Sequence, residues 1–248
     1  QNIPKYSLVL DNTVINLRSM FRPSRKGFIF VCADYSQLEM RVLAHFSQDK
    51  QLLKFFSSGK DIHKQIAAHW KGISNVDNVT NEYREQAKRI CYGILYGMGA
   101  RSLSQTLGNN TTIEQAEHFI ASFLSRFPQM QAFIDNVKQQ VVEQCFVTTL
   151  LGRRRLLPHA RSKESSLVAK AKRQAVNAVI QGSAADIVKE AMLRVDRELI
   201  TATSLASHNV SFPEDSVHMV LQLHDEIVLE CQENIAVQVS KRLKTLME

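Results

Sequence analysis

Cysteine is scarce and never paired: Cys32, Cys91, Cys145 and Cys231 are scattered through 248 residues with no CxxC spacing. That speaks against a disulfide framework and a structural zinc, and for a reducing compartment with free thiols. Cys32 and Cys91 stand in apolar surroundings and are expected to be buried. No apolar run approaches a membrane span, and no signal peptide, internal repeat or low-complexity tract is visible, so no membrane partner is expected. Acidic residues are in deficit, 24 against 31 Lys and Arg, which leaves a net charge of +7 and a pI near 9.3. This fits a polyanionic partner, although charge says nothing about fold and basic proteins without nucleic acid are common. At this length the chain can bury a sizeable core and form one large domain or two lobes.

What is present centres on Gly27–Arg41, GFIFVCADYSQLEMR. Phe28 to Ala33 is an unbroken apolar run of strand length that stops at Asp34, after which the pattern turns helical. A carboxylate closing a buried strand is held where sheet meets solvent, a good place for a metal ion or a reacting group; it also suits a turn or a helix N-cap. Val217–Glu230 reads as a β-hairpin with His224, Asp225 and Glu226 at its tip. If the two segments share one antiparallel sheet, Asp34 and Asp225 could share a pair of Mg²⁺ ions through hard oxygen ligands.

Between them the pattern is mostly helical. Leu38, Val42, Leu43 and Phe46 start one helix; Asp49 through Leu52, Leu53 and Phe56 a second, closed by Gly59; Asp61-Ile62-His63 a third, with His63 a capping or core histidine on residue type alone. From Asn81 to Tyr96, Arg84, Lys88 and Tyr92 recur every fourth residue and lie within an arc of about 80°. Two cations and an aromatic on one stripe suit a nucleoside triphosphate, or a solvated basic face. Gly97 and Gly99 supply a permissive end, fit for a helix that swings. Thr111 and Glu114 read as a capping box, and Pro128 separates that helix from the next.

Gly152 with Arg153, Arg154 and Arg155 forms a basic hairpin tip, and Arg18, Arg22, Arg25 and Lys26 another cationic stretch; template phosphate contact and solvated loop both fit. A helix from Ser165 to Ile180 is expected to break at Gly182 and restart under a Ser183 cap, running from Ala184 to Ile200. Arg173, Asn177 and Gln181 repeat the spacing of four, donors suited to the minor-groove acceptors that every base pair offers, or to a buried polar cluster. Thr201 to Ser216 reads as a polar loop, and Asn234 to Met247 as an amphipathic helix packed under the sheet.

DYSQLEMR, REQAKRICYGILYG and QLHDE, in that order, resemble motifs A, B and C of family A DNA polymerases, with wording similar to the eukaryotic theta and nu branch. The resemblance implies an α/β (α+β) right-hand polymerase portion: palm from residues 1–45 and 165–248 with an antiparallel sheet, mostly helical fingers from 46–164, and a thumb that would precede the QNIP start. It further implies a monomer acting on primer-template DNA and deoxynucleoside triphosphates, with two Mg²⁺ ions, or Mn²⁺ as substitute, in a nuclear repair role such as end joining or lesion bypass.

Residue by residue, the resemblance implies metal on Asp34, Asp225 and the Tyr35 carbonyl, and catalysis by Asp34, Asp225, Lys88 and, secondarily, Glu226. It implies nucleotide contacts from Gln37, Glu39, His63, Arg84, Lys88 and Tyr92, with Glu39 and Tyr92 gating against a ribose 2′-OH. DNA contacts are implied for Tyr96, Arg173, Asn177, Gln181, His224, Arg153 and Arg154. Two departures stand out: Tyr92, where bacterial repair enzymes have Phe, implies acceptance of dideoxynucleotides, and Arg89, where they carry a small residue, implies lower fidelity. Rival classes are a two-metal nuclease, which leaves the Arg84, Lys88 and Tyr92 helix unexplained, and a non-catalytic DNA-binding module.

Overall fold

The computed structural model describes residues 8–10, 13–108, 111–201 and 212–248. In chain order, β1 (Leu8–Leu10) pairs with β2 (Thr13–Ile15), and β3 (Phe28–Asp34) follows. Helices come next: α1 (Leu38–Ser47), α2 (Lys50–Ser57), α3 (Ile62–Lys71), α4 (Asn81–Leu95), α5 (Ala100–Leu107), α6 (Ile113–Ser125) and α7 (Pro128–Gln144). The hairpin of β4 (Phe146–Thr148) and β5 (Arg154–Leu156) leads to α8 (Ser165–Val195), then to β6 (Val217–Leu223), β7 (Glu226–Gln232) and α9 (Ala236–Met247). All strand pairings among the described residues are antiparallel, so the class is α+β.

The chain divides into two compact units, Gln1–Ser36 with Ala185–Glu248, and Gln37–Ala184. These seams fall before 45 and after 164, because α1 belongs wholly to the second unit and α8 carries the chain on without a break.

In the first unit β3, β7 and β6 form one sheet in that order. Alternation decides its faces: Ile29, Val31 and Ala33 of β3 and Ile227, Leu229 and Cys231 of β7 point to a core completed by Val195, Leu199, Val239, Leu243 and Leu246. The other face carries Phe28, Phe30 and Cys32, so the continuous apolar run of β3 is covered on one side only. Cys32 is therefore exposed, against expectation, whereas Cys91 is buried as expected. Burying a leucine such as Leu243, fully enclosed between α9 and the sheet, is worth roughly 2 kcal/mol. Ser24 N–H donates to the Glu230 carboxylate, and Arg25 pairs with Asp215 at 2.5 Å while lying over the Phe28 ring. Ser7 and the QNIP start lie outside the described residues, as do residues 202–211 of the expected loop.

In the second unit the caps set the helix starts. Asp49, fully buried, accepts from the N–H groups of Gln51 and Leu52 at α2 and of Met130 at α7, so one carboxylate starts α2 and ties it to α7. The capping box at α6 is Thr112 with Gln115, one residue later than expected; two threonines in a row, each followed at the third position by Glu or Gln, make the two registers indistinguishable until the chain is placed.

The expected break at Gly182 is also corrected: α8 runs unbroken for 31 residues. A β-carbon at Gly182 would stand 2.6 Å from Thr149 Cγ2, so the glycine lets the β4–β5 turn lie against the helix. Ser183, expected as a cap, is buried in the helix, donates to the Val179 carbonyl at 2.5 Å and accepts from Leu150 N–H at 2.8 Å. After Val195 the chain widens into a π-helical turn, Asp196–Ile200, closed by Thr201 N–H on the Asp196 carbonyl at 2.8 Å.

Candidate active site

The first group of expected residues lies at one end of the three-stranded sheet. Register places Asp34, the last residue of β3, opposite Glu226, the first of β7, and Tyr35 N–H donates to the Asp225 carbonyl at 3.2 Å. Asp34 and Asp225 are thus brought to the same sheet end by backbone pairing. His224 and Asp225 form a two-residue turn, for Leu223 pairs directly with Glu226. His224 takes φ 56°, a left-handed conformation that glycine or asparagine adopts with less strain, and the Gln222 amide donates to its carbonyl. Backbone strain at the residue before a carboxylate fits a turn shaped to aim it.

The candidate ligands here are hard oxygens: two aspartate carboxylates and the Tyr35 carbonyl. Partial desolvation and then the neighbouring Glu226 hold the Cys32 thiol above its ordinary pKa. Among the described residues no three His, Cys, Asp or Glu converge as a metal cluster. Carboxylate and carbonyl oxygens suit Mg²⁺, which keeps waters and takes ligands from a substrate phosphate, better than the His and Cys donors of a zinc cage. The Tyr35 hydroxyl donates to the Met247 carbonyl at 2.6 Å, anchoring the residue after Asp34 to α9.

The second group lies in the helical unit. α4 buries Ala87, Ile90, Cys91, Ile94 and Leu95, which leaves Arg84, Lys88 and Tyr92 together on another face, Lys88 exposed and the other two partly so. Arg84 Nε donates to Asp61 at 2.8 Å and its Nη1 to Glu85 at 2.5 Å. His63 is buried on α3 beside this stripe, its ring 5.9 Å from that of Tyr92, with neither ring nitrogen partnered among the described residues. Burial pushes the Asp61 pKa up, but the Arg84 hydrogen bond and the Lys64 N–H outweigh it and the net shift is downward.

Tyr92 stacks against Tyr96 at 6.0 Å, and the Tyr96 hydroxyl donates to Glu39 on α1. Burial, then Glu39, push the Tyr96 phenol well above its ordinary pKa, so it is a neutral donor. The Gln181 side chain of α8 lies beside it and opposes that rise. Glu39 is thus bonded to Tyr96, whereas the sequence associated it with Tyr92. Gln37 precedes α1 at φ 51°.

Gly97 ends α4 with φ 67°, and the Arg173 stem fills the space a β-carbon there would need, with Cγ 2.7 Å away. Asn177 keeps its amide oxygen buried with no partner among the described residues. Arg153 turns back from the hairpin to donate to the Gly182 carbonyl at 3.0 Å, and Arg154 lies over the Phe146 ring. Arg89 donates to the Thr106 carbonyl on α5 at 3.3 Å. Sequence reasoning took Asp61 for a helix start only and gave Glu85 no role; Arg84 is far from Asp61 in the chain, and no local pattern links them.

The family model of DNA polymerase family A matches residues 1–248. The chain is 37% identical over its full length to DNA polymerase theta of Drosophila melanogaster, of which it spans 12%. It is 38% identical to DNA polymerase I of Streptococcus pneumoniae over 94% of its length, spanning 25% of that protein. A solved structure, the POL domain of Pol1 from M. smegmatis in complex with DNA primer-template and dNTP, superposes with a TM-score of 0.81 at 34% identity, covering 91% of this chain and 37% of the other. The chain therefore spans an eighth to about a third of these relatives.

Proposed function

The chain belongs to DNA polymerase family A, and from that membership we propose that it carries out template-directed addition of deoxynucleotides to a primer 3′-OH. The observation that carries this reading is the strand register that puts Asp34 and Asp225 at one end of the sheet. Asp34, Asp225 and the Tyr35 carbonyl would hold two Mg²⁺, with Mn²⁺ as substitute. Such ions, when bound, lower the pKa of the primer hydroxyl and offset charge on the leaving pyrophosphate. Glu226, opposite Asp34 in the sheet, adjusts the ligands or a water.

Arg84 and Lys88 bind the triphosphate, and Lys88 donates a proton to the leaving pyrophosphate. His63, buried and unpartnered among the described residues, takes a phosphate oxygen. Gln37 also contacts the nucleotide. Glu39 and Tyr92 exclude a ribose 2′-OH, and the Tyr92 hydroxyl substitutes for a missing 3′-OH. Tyr96 leaves Glu39 to stack at the templating position when the fingers are open. Arg173, Asn177, Gln181, His224, Arg153 and Arg154 contact primer-template DNA. Palm roles fall to 1–45 and 165–248 and fingers roles to 46–164. A monomeric, low-fidelity nuclear repair polymerase is the finer reading; likeness to DNA polymerase theta supports its nuclear repair part.

Single-nucleotide primer extension with Mg²⁺ tests the proposal, comparing this chain and a longer one with their Asp225→Asn variants. Extension lost by at least about a hundredfold in Asp225→Asn supports a carboxylate-held metal mechanism. Salt-sensitive duplex binding with no extension by either length would replace it with a DNA-binding module.

A further inference from the structure

Arg84 is occupied before any nucleotide arrives. Asp61 accepts from its Nε and Glu85 from its Nη1, at 2.8 and 2.5 Å. A guanidinium grips a phosphate through two parallel N–H donors, along either its Nε side or its outer end. With one carboxylate on Nε and another on Nη1, each of those edges already has a tenant. The contact with Asp61 is not a loose surface pair, since the two side chains are only 26% and 33% exposed. Asp61 is also fixed in place, because it caps α3 by accepting from Lys64 N–H at 3.1 Å.

The surroundings suit an anion. His63, two residues on, is 2% exposed, with neither ring nitrogen partnered among the described residues. An imidazole enclosed without a hydrogen bond is costly unless a ligand satisfies it. Lys88 extends from the same face of α4 as Arg84. This face thus presents Lys88 as an exposed cation, His63 as a buried imidazole and Arg84 with its charge offset by two carboxylates.

We propose that Asp61 and Glu85 stand in for phosphate on Arg84, so that a nucleotide binds by carboxylate-for-phosphate exchange, and that Asp61 thereby sets selectivity for polyphosphates. This rests on the reading of Arg84 as a phosphate contact. A single phosphate group brings no more charge than the two carboxylates it must displace. A triphosphate brings several negative oxygens and reaches Lys88 and His63 at once, so it wins the exchange where a monophosphate does not. Asp61 is here a positioning and selectivity residue, acting through Arg84 without touching the reacting atoms.

The test is equilibrium binding of dATP, dAMP and inorganic tripolyphosphate to Asp61→Asn, Glu85→Gln, Arg84→Gln and the parent chain. Asparagine keeps a cap acceptor for Lys64 N–H and removes only the charge; Asp61→Ser is a second uncharged cap, and thermal unfolding verifies the fold of each. Asp61→Asn should tighten all three ligands by about three- to tenfold, dAMP proportionally most. Its KM for nucleotide in primer extension should fall without a rise in kcat. Glu85→Gln should act in the same direction, less strongly. In an Arg84→Gln background the Asp61→Asn gain should vanish. Unchanged or weaker binding in Asp61→Asn and Asp61→Ser overturns the exchange. If Arg84→Gln itself leaves binding unaltered, the phosphate reading of Arg84 fails; if it weakens binding while Asp61→Asn gains nothing, only the exchange does.

Discussion

Helix α4 and the part of α8 that lies in the same unit carry one sequence pattern, three polar side chains four residues apart, and their neighbours make different devices of it. On α4, Arg84 is held by Asp61 and Glu85, and Tyr92 lies between the rings of His63 and Tyr96. On α8, Gln181 lies beside Tyr96, Asn177 keeps a buried oxygen in reserve, and the Arg173 stem packs on Gly97. The first stripe is charged and competes with its own carboxylates; the second is largely neutral and braced against the end of the first. Their glycines differ in the same way. Gly97 takes φ 67° and stops α4, while Gly182 stays helical and admits Thr149. A glycine ends a helix only where the backbone turns left-handed; elsewhere it marks a close approach.

The sharpest way to break this contrast is to add one methyl group to each glycine. Gly97→Ala forces alanine into a left-handed conformation and drives its methyl into Arg173; a loss of about 2–3 kcal/mol is expected in urea unfolding, with weakened DNA binding. Gly182→Ala would stabilise an ordinary exposed helix by up to about 1 kcal/mol, but against Thr149 it should cost about 1–2 kcal/mol. A gain in stability at 182 would mean that the turn does not press on the helix.

Titration sharpens the charged side of the comparison. Burial holds the His63 pKa below its ordinary value; Arg84 and Lys88 push it the same way, and Asp61 and Glu85 oppose them. For the unliganded chain the sign follows: the stability from a neutral His63 is complete above the ordinary histidine pKa and is lost as pH falls from there toward the lowered one. A polyphosphate favours the charged ring, so nucleotide affinity should rise over that interval, by less than about tenfold. Binding isotherms across pH for the parent and His63→Gln check this; equal slopes would show that the ring does not take up the proton.

The smallest effect concerns Arg89, which donates to the Thr106 carbonyl in an exposed position. Arg89→Ala should cost less than about 1 kcal/mol. Under the fidelity reading its misincorporation frequency should also drop; an unchanged frequency would leave Arg89 as a link between α4 and α5 alone.

Much of the site was legible because it rests on local pattern. A strand ending on Asp34 and a hairpin turning at Asp225 need only period-two alternation and a stop, and the Arg84, Lys88, Tyr92 stripe needs only helical spacing. What escaped depends on distant partners. The Asp61–Arg84 bond joins two helices, and the exposure of Cys32 depends on which sheet face α9 covers. Gly182 misled because composition cannot tell a breaker from a contact point. The α6 cap was read one residue early because Thr111 and Thr112 both satisfy the motif.

One irregularity of the sheet bears on how the molecule behaves among copies of itself. β6 lies at the sheet's edge, and its pairing with β7 slips between Met219 and Leu221, leaving Val220 and Leu221 exposed. A straight apolar edge of that kind would be a template for a strand from a neighbouring chain. The bulge twists the backbone donors and acceptors out of line, so at the high concentrations of synthesis or storage the edge resists the strand-on-strand growth that seeds aggregates.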